Sequence, residues 1–186
     1  MKVVIAGIVG GLIVFVWGAV SHMLTPIGTM GFTPLPNEDA LVSAMKTSLT
    51  EPGMYMFPGF DMNAEMTPEQ EKAWTDKMMA GPTGMIIYHP TGEQPMSPKQ
   101  LGVELLSNIV AALLAAMLLT RFVGSYACRV VMVAVLGLFA WMSIDVSYWN
   151  WYGFASAQTI GELLEQVIGW ALAGLAMAKM VKVKSA

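Results

Sequence analysis

The chain has 186 residues, of which 55% are hydrophobic and 12% charged, and its mean hydropathy is +0.57. A soluble domain of this length carries about a quarter charged residues, so the composition points to lipid as the main solvent. The net charge of −3 excludes nucleic acid as a partner, because no Lys/Arg cluster could neutralise a phosphate backbone, and the lone Cys128 excludes both a disulfide framework and a cysteine zinc cage.

Four stretches approach the ~20 apolar residues needed to cross ~30 Å of hydrocarbon: Val3–Met23, Leu101–Thr120, Val130–Trp149 and Ile160–Met180. The first has only Lys2 before it. Its apolar run from Val3 to Val20 exceeds the ~7–15 residues of a signal-peptide core, and Ala19-Val20-Ser21 is a mediocre cleavage site. A retained transmembrane helix is therefore expected over residues 1–24.

The next segment, residues 25–100, is too long and too patterned for a bare loop. Asn37 is placed to cap a helix through Glu38 and Asp39 to Leu49, with Leu41, Ala44, Met45 and Leu49 on one face. Thr67-Pro68-Glu69-Gln70 sets a cap, a first-turn proline and a capping-box glutamine in register, and the helix that follows should stop at Gly81-Pro82. Met54-Tyr55-Met56-Phe57 and Met85-Ile86-Ile87-Tyr88, each bounded by Gly and Pro, read as short strands able to pair. Ser97-Pro98-Lys99-Gln100 repeats the cap signature and opens the second span.

Orientation follows from the basic residues near the membrane ends. With the N-terminus inside, Lys2, Arg121, Arg129, Lys179, Lys182 and Lys184 face the cytoplasm, which is six of the ten Lys/Arg in very short segments. Lys46, Lys72, Lys77 and Lys99 are spread through the long segment, and all thirteen acidic residues lie there or at outer helix ends. Both termini are expected inside.

In lipid, helices associate by close packing at small residues and by polar contacts. The first span carries Gly7, Gly11, Gly18 and His22 along one stripe. The second sets Ala111 and Ala115 below Glu104 and Asn108, and the fourth sets Gly169 and Ala173 below Glu162, Glu165 and Gln166. The third is bulkier, with Trp141, Asp145, Tyr148 and Trp149 at helical spacing. Polar and small residues thus share faces, and His22, Glu104, Asp145, Glu162 and Glu165 fall at similar depth. They are expected in one layer just below the outer surface, without a Lys or Arg to neutralise it.

Each feature also has a plainer explanation. Glutamates near helix N-termini gain ~0.3–1 kcal/mol from the dipole alone, whereas Asp145 sits at a C-terminal helix end where the dipole opposes it. The block Tyr148-Trp149-Asn150-Trp151-Tyr152-Gly153-Phe154 matches an interfacial aromatic belt, and could equally line a pocket for an amphiphile or quinone-like ligand. His22, Glu104, Asp145 and Glu165 are the ligand types of Mn, Fe or Zn sites, although the Glu-x-x-His pair of bundle di-metal centres is missing. Eleven of seventeen methionines lie between Met23 and Met96, including Met54-x-Met56, Met62-x-x-x-Met66 and Met78-Met79; thioethers bind Cu(I), and methionine also fills packing gaps. No phosphate-binding glycine loop, nucleophile elbow, His-Glu-x-x-His or Cys-x-x-Cys is present.

The fold expected is an all-α integral membrane protein, an antiparallel four-helix transmembrane bundle with a small α/β extracytoplasmic cap between helices 1 and 2. Its parts are residues 1–24 (first helix), 25–100 (cap of two short helices and a β ribbon) and 101–186 (three further helices with short loops). The function expected is a non-enzymatic accessory subunit or small-ligand-binding component. Its polar pocket comprises His22, Glu104, Asn108, Asp145, Tyr148, Trp149, Glu162, Glu165 and Gln166. A metal-dependent or redox enzyme using His22, Glu104, Asp145 and Glu165 is the alternative, with a divalent metal as cofactor or copper held by methionines. Proton or cation transport is a third reading; it lacks polar residues continuing into the inner half of any helix. The partners expected are the lipid bilayer of a bacterial plasma membrane, and membrane subunits or a second copy meeting the first helix.

Overall fold

The computed structural model describes residues 1–61 and 63–182; Met62 and Lys184, which enter the sequence reading, lie outside them. The chain is mostly helical with one two-stranded ribbon, and four of its helical stretches are long and apolar enough to cross a membrane. It divides into two compact units. One is Met1–Phe32 with the chain from Pro95 onward, and the other is Thr33–Gln94.

In the first unit α1 spans Lys2–Leu24 and ends where Pro26 forbids continuation. The Thr25 hydroxyl donates to the Ser21 carbonyl (2.9 Å) and accepts from the Ile27 amide (3.2 Å), which leads into a 3-10 turn at Ile27–Thr29. After the second unit, α4 (Pro98–Leu119) begins with the capping box expected at Ser97 and Gln100. Ser125 caps α5 (Tyr126–Ser143) through the Cys128 amide. Ile144 is distorted (φ −114, ψ −63) but keeps helical bonds to Ala140 and from Tyr148, and α6 continues the span over Asp145–Tyr152 to a left-handed Gly153. The last helix, α7, spans Ser156–Met180.

These helices form a row, α4 beside α1, α1 beside α7, and α7 beside α5. The α4 and α5 helices, joined by a short loop, barely touch. Close approach is possible because the contact residues are small. A Cβ on Gly7 would meet Leu113, and one on Gly11 would fall on the backbone of Ile109, so residue numbers run in opposite senses along α1 and α4. Gly10 faces both Met177 of α7 and Ala112 of α4, and Gly137 of α5 lies against the Gln166 carbonyl of α7. The core joins Ala6, Ala112, Ala115, Ala116 and Ala173 to Leu119, Val133, Trp170, Met177 and Val181.

Two packing expectations change. Gly18 does not continue the Gly7–Gly11 contact with α4, since the only atom a Cβ there would approach is Glu165 Oε1, at 3.6 Å. On α4 the buried residues are Ala112, Ala115, Ala116 and Leu119, with Ala111 only half-buried, and Glu104, about three turns before Ala115, is exposed.

The second unit holds α2 (Glu38–Ser48), β1 (Gly53–Phe57), α3 (Pro68–Ala80) and β2 (Gly84–Tyr88). Asn37 stands at the start of α2 but adopts a left-handed conformation (φ 52) and makes no side-chain cap. Leu41 and Ala44 are exposed, and the half-buried face is Val42, Met45 and Leu49. The α3 helix has the full Thr67/Gln70 capping box and stops at Gly81, as its sequence requires. Trp74 of α3 donates its indole N–H to the Pro58 carbonyl (3.0 Å) and meets the Phe60 ring edge-on. The strands pair antiparallel, Gly53 opposite Tyr88 through Phe57 opposite Gly84.

Candidate functional site

The polar residues of the spanning helices gather where α1 ends and α7 begins. Glu165 of α7 is the centre. Its carboxylate accepts from the Ser21 hydroxyl (2.8 Å) and lies 3.4 Å from His22 Nε2. Its main-chain carbonyl accepts from the Trp17 indole N–H at 3.0 Å. Glycines make this arrangement possible. Trp17 lies over Gly169, whose missing Cβ leaves room for the ring, and His22 is seated against Gly28 of the 3-10 turn. That turn is held on α7 by Gly161, where a Cβ would stand 2.7 Å from the Ile27 carbonyl. Glu165 is mostly buried, with its side chain 19% exposed, while the His22 ring is 52% exposed. The result is a carboxylate–imidazole pair that can hydrogen-bond a polar group arriving from solvent.

Glu162, one turn earlier on α7, is half-buried and accepts from Gln158 Nε2 at 3.1 Å. Of the five ionisable residues expected in one layer, His22 and Glu165 are in contact, and Glu162 stands about one turn from Glu165 on the same helix. Glu104 stands apart, exposed on α4, where its carboxylate accepts from Asn108 Nδ2 (3.0 Å). Among the described residues no three His, Cys, Asp or Glu side chains converge closely enough to hold a metal, so His22, Glu104, Asp145 and Glu165 do not make a coordination shell there.

Asp145 follows the distortion at Ile144 and stands about two turns before the span ends at Tyr152, toward the end its sequence position implies. Tyr148 packs on Tyr152 and Phe154, and the Trp149 indole donates to the Ser156 hydroxyl (3.0 Å). Gln166 accepts from the Trp170 indole at 3.1 Å. These three are engaged within the chain and do not point into the Glu165 cluster.

Two apolar grooves lie along the spanning helices. One, of about 520 Å³, is lined by Val9, Leu12, Ile13, Val16, Trp17, Val20 and Leu172. It runs up α1 to the residue before Ser21, and Trp17 is common to the groove and the Glu165 cluster. The other, of about 410 Å³, lies between α5–α6 and α7 beside Trp141 and Trp149.

A polar site that the sequence does not announce lies at the far end of α7. Arg129 is buried; its Nη1 donates to the Ala178 carbonyl (3.1 Å) and its Nη2 to the Val181 carbonyl (2.7 Å). The Tyr126 hydroxyl donates to the Leu175 carbonyl, and Lys179 lies over the Tyr126 ring. The cue was the spacing from Ser125, a cap residue, which puts Arg129 one turn into α5 and inside the apolar span.

No protein-family model, curated protein or solved structure matches this chain. What the fold defines is a class, a chain with four helices able to span a membrane.

Proposed function

We propose that this protein is a non-enzymatic membrane component, an accessory subunit or carrier, that binds a small amphiphile. The polar head of the ligand meets Ser21, His22 and Glu165, and its apolar chain lies in the groove from Val20 down to Val9. The observation that carries this reading is Trp17, which walls the groove and donates to Glu165 at the same time. The twelve residues from Val9 to Val20, eleven helical rises, give the groove a length of about 16 Å, enough for a single alkyl or prenyl chain. The mostly buried carboxylate and half-exposed imidazole complement a carbonyl, hydroxyl or amine head.

In this reading the four helices form an antiparallel transmembrane bundle with both termini in the cytoplasm. Residues 25–100 then lie outside as the cap, and the Glu165 cluster lies near the outer face of a bacterial plasma membrane. The distribution of Lys and Arg supports that orientation. A metal-dependent enzyme gains no support from the position of Glu104.

The test is extraction of the protein purified in mild detergent, followed by mass spectrometry of the organic phase. Wild type should release a discrete amphiphile near one per chain. Glu165→Gln should lose it by removing the charge, and Leu172→Trp should lose it by filling the groove. Equal extracts from all three would overturn the proposal.

A further inference from the structure

The ribbon of the second unit leaves one face open. Because side chains alternate along a strand, the register puts Met54, Met56, Met85 and Ile87 on that face, with Met56 directly opposite Met85 and Met54 directly opposite Ile87. Gly53, Tyr55, Phe57, Gly84, Ile86 and Tyr88 take the other. Opposed Cβ atoms in an antiparallel pair are ~5 Å apart and same-strand neighbours on one face ~7 Å, so three long thioether side chains share one small area. Met54 is 65% and Met56 52% exposed, and Met85 is half-buried.

Gap filling, the usual reason for methionine in a packed site, does not account for side chains in solvent. Strand preference does not either, since β-branched and aromatic residues are favoured there. A thioether is soft and uncharged and has no proton to lose, which selects a soft monovalent cation over hard divalent ones. A second, independent feature favours a cation. The unit Thr33–Gln94 holds nine acidic against three basic side chains, a net charge of −6, so its field attracts positive ions that the neutral sulfurs can then ligate.

We propose that Met54, Met56 and Met85 bind one Cu(I) ion on the open face of the ribbon. The step is ligation only; copper arrives and stays as Cu(I), and no electron or proton is transferred. It is independent of the amphiphile site in the other unit.

The experiment uses the full chain in mild detergent. Cu(I), kept reduced with ascorbate, is partitioned between the protein and the chromophoric chelator bathocuproine disulfonate. Wild type should withhold one equivalent per chain. Changing Met54, Met56 and Met85 together to Leu, which keeps size and hydrophobicity, should abolish that equivalent while the circular dichroism spectrum is unchanged. The Met78→Leu, Met79→Leu double variant should retain it. Affinity should also stay constant from pH 7 to pH 5, because thioethers do not titrate. No withheld equivalent in wild type, an unchanged equivalent in the triple Leu variant, or affinity that collapses by pH 5 as imidazole ligation by His89 would require, each overturns the proposal.

Discussion

Two glycines about two turns apart on the same helix behave differently because of what lies opposite them. Gly11 meets the main chain of Ile109, which cannot move without moving α4, whereas Gly18 faces only the tip of the Glu165 side chain at ordinary contact distance. Gly11→Ala should cost about 1–3 kcal/mol, the usual range for overpacking a close contact, while Gly18→Ala should be near neutral or gain a few tenths from helix propensity. Thermal unfolding in detergent separates the two, and equal losses would mean that α1 and α4 are not in the register described. Arg129 makes the same point with charge. Its fork bonds two carbonyls at the C-terminal end of α7, where the dipole also favours a cation. A lysine offers a point charge in place of the planar fork. Arg129→Lys should therefore lose about 1.5–3 kcal/mol, the worth of one charged hydrogen bond, and Arg129→Ala more, measured by the same unfolding.

Among the elements, α3 is the one whose start can be probed by pH. The Glu69 carboxyl is held below its ordinary value of 4.5 by the main chain at the helix start and by the Thr67 hydroxyl. A depressed folded-state pKa gives stability that is fully present above the unfolded value and is lost as pH falls through the folded one. Amide exchange in the first turn of α3 should therefore accelerate as pH falls below about 4.5, after correction for intrinsic rates. Thr67→Ala should weaken the helix by ~0.5–2 kcal/mol and flatten that dependence. An acid response in Thr67→Ala equal to wild type would dissociate Glu69 from the cap. These boundaries were legible from sequence because they rest on local chemistry: Thr67 with Gln70, Ser97 with Gln100, and Gly81 after Ala80. The strands were legible for the same reason. What sequence could not supply is set by contacts across the fold. The distortion at Ile144 has no Gly or Pro to mark it. The 3-10 turn at Ile27–Thr29 is recognisable only once Gly28 and Gly161 are seen to face His22 and Ile27.

Across the whole molecule, connectivity turns one orientation into several linked consequences. If all four spanning helices cross, the chain between α1 and α4 lies on one side, together with the turn at Gly153. Both chain ends and the α4–α5 loop lie on the other. That second side carries Lys2, Arg121, Arg129, Lys179 and Lys182 and no acidic residue among those described, whereas Asp145, Glu162 and Glu165 sit toward the first. The proposed orientation, with the Lys/Arg-rich side in the cytoplasm, puts Cys128, an exposed thiol in the first turn of α5, inside. It also places Ser48, at the end of α2, outside. A membrane-impermeant maleimide added to intact bacterial cells should modify Ser48→Cys in a Cys128→Ser background and leave Cys128 of the unaltered chain unreacted. Permeabilising the inner membrane should then expose Cys128. Labelling of Cys128 in intact cells would invert the orientation, turn the Glu165 cluster toward the cytoplasm, and move the Met54–Met85 face to a compartment where reduced glutathione competes for Cu(I).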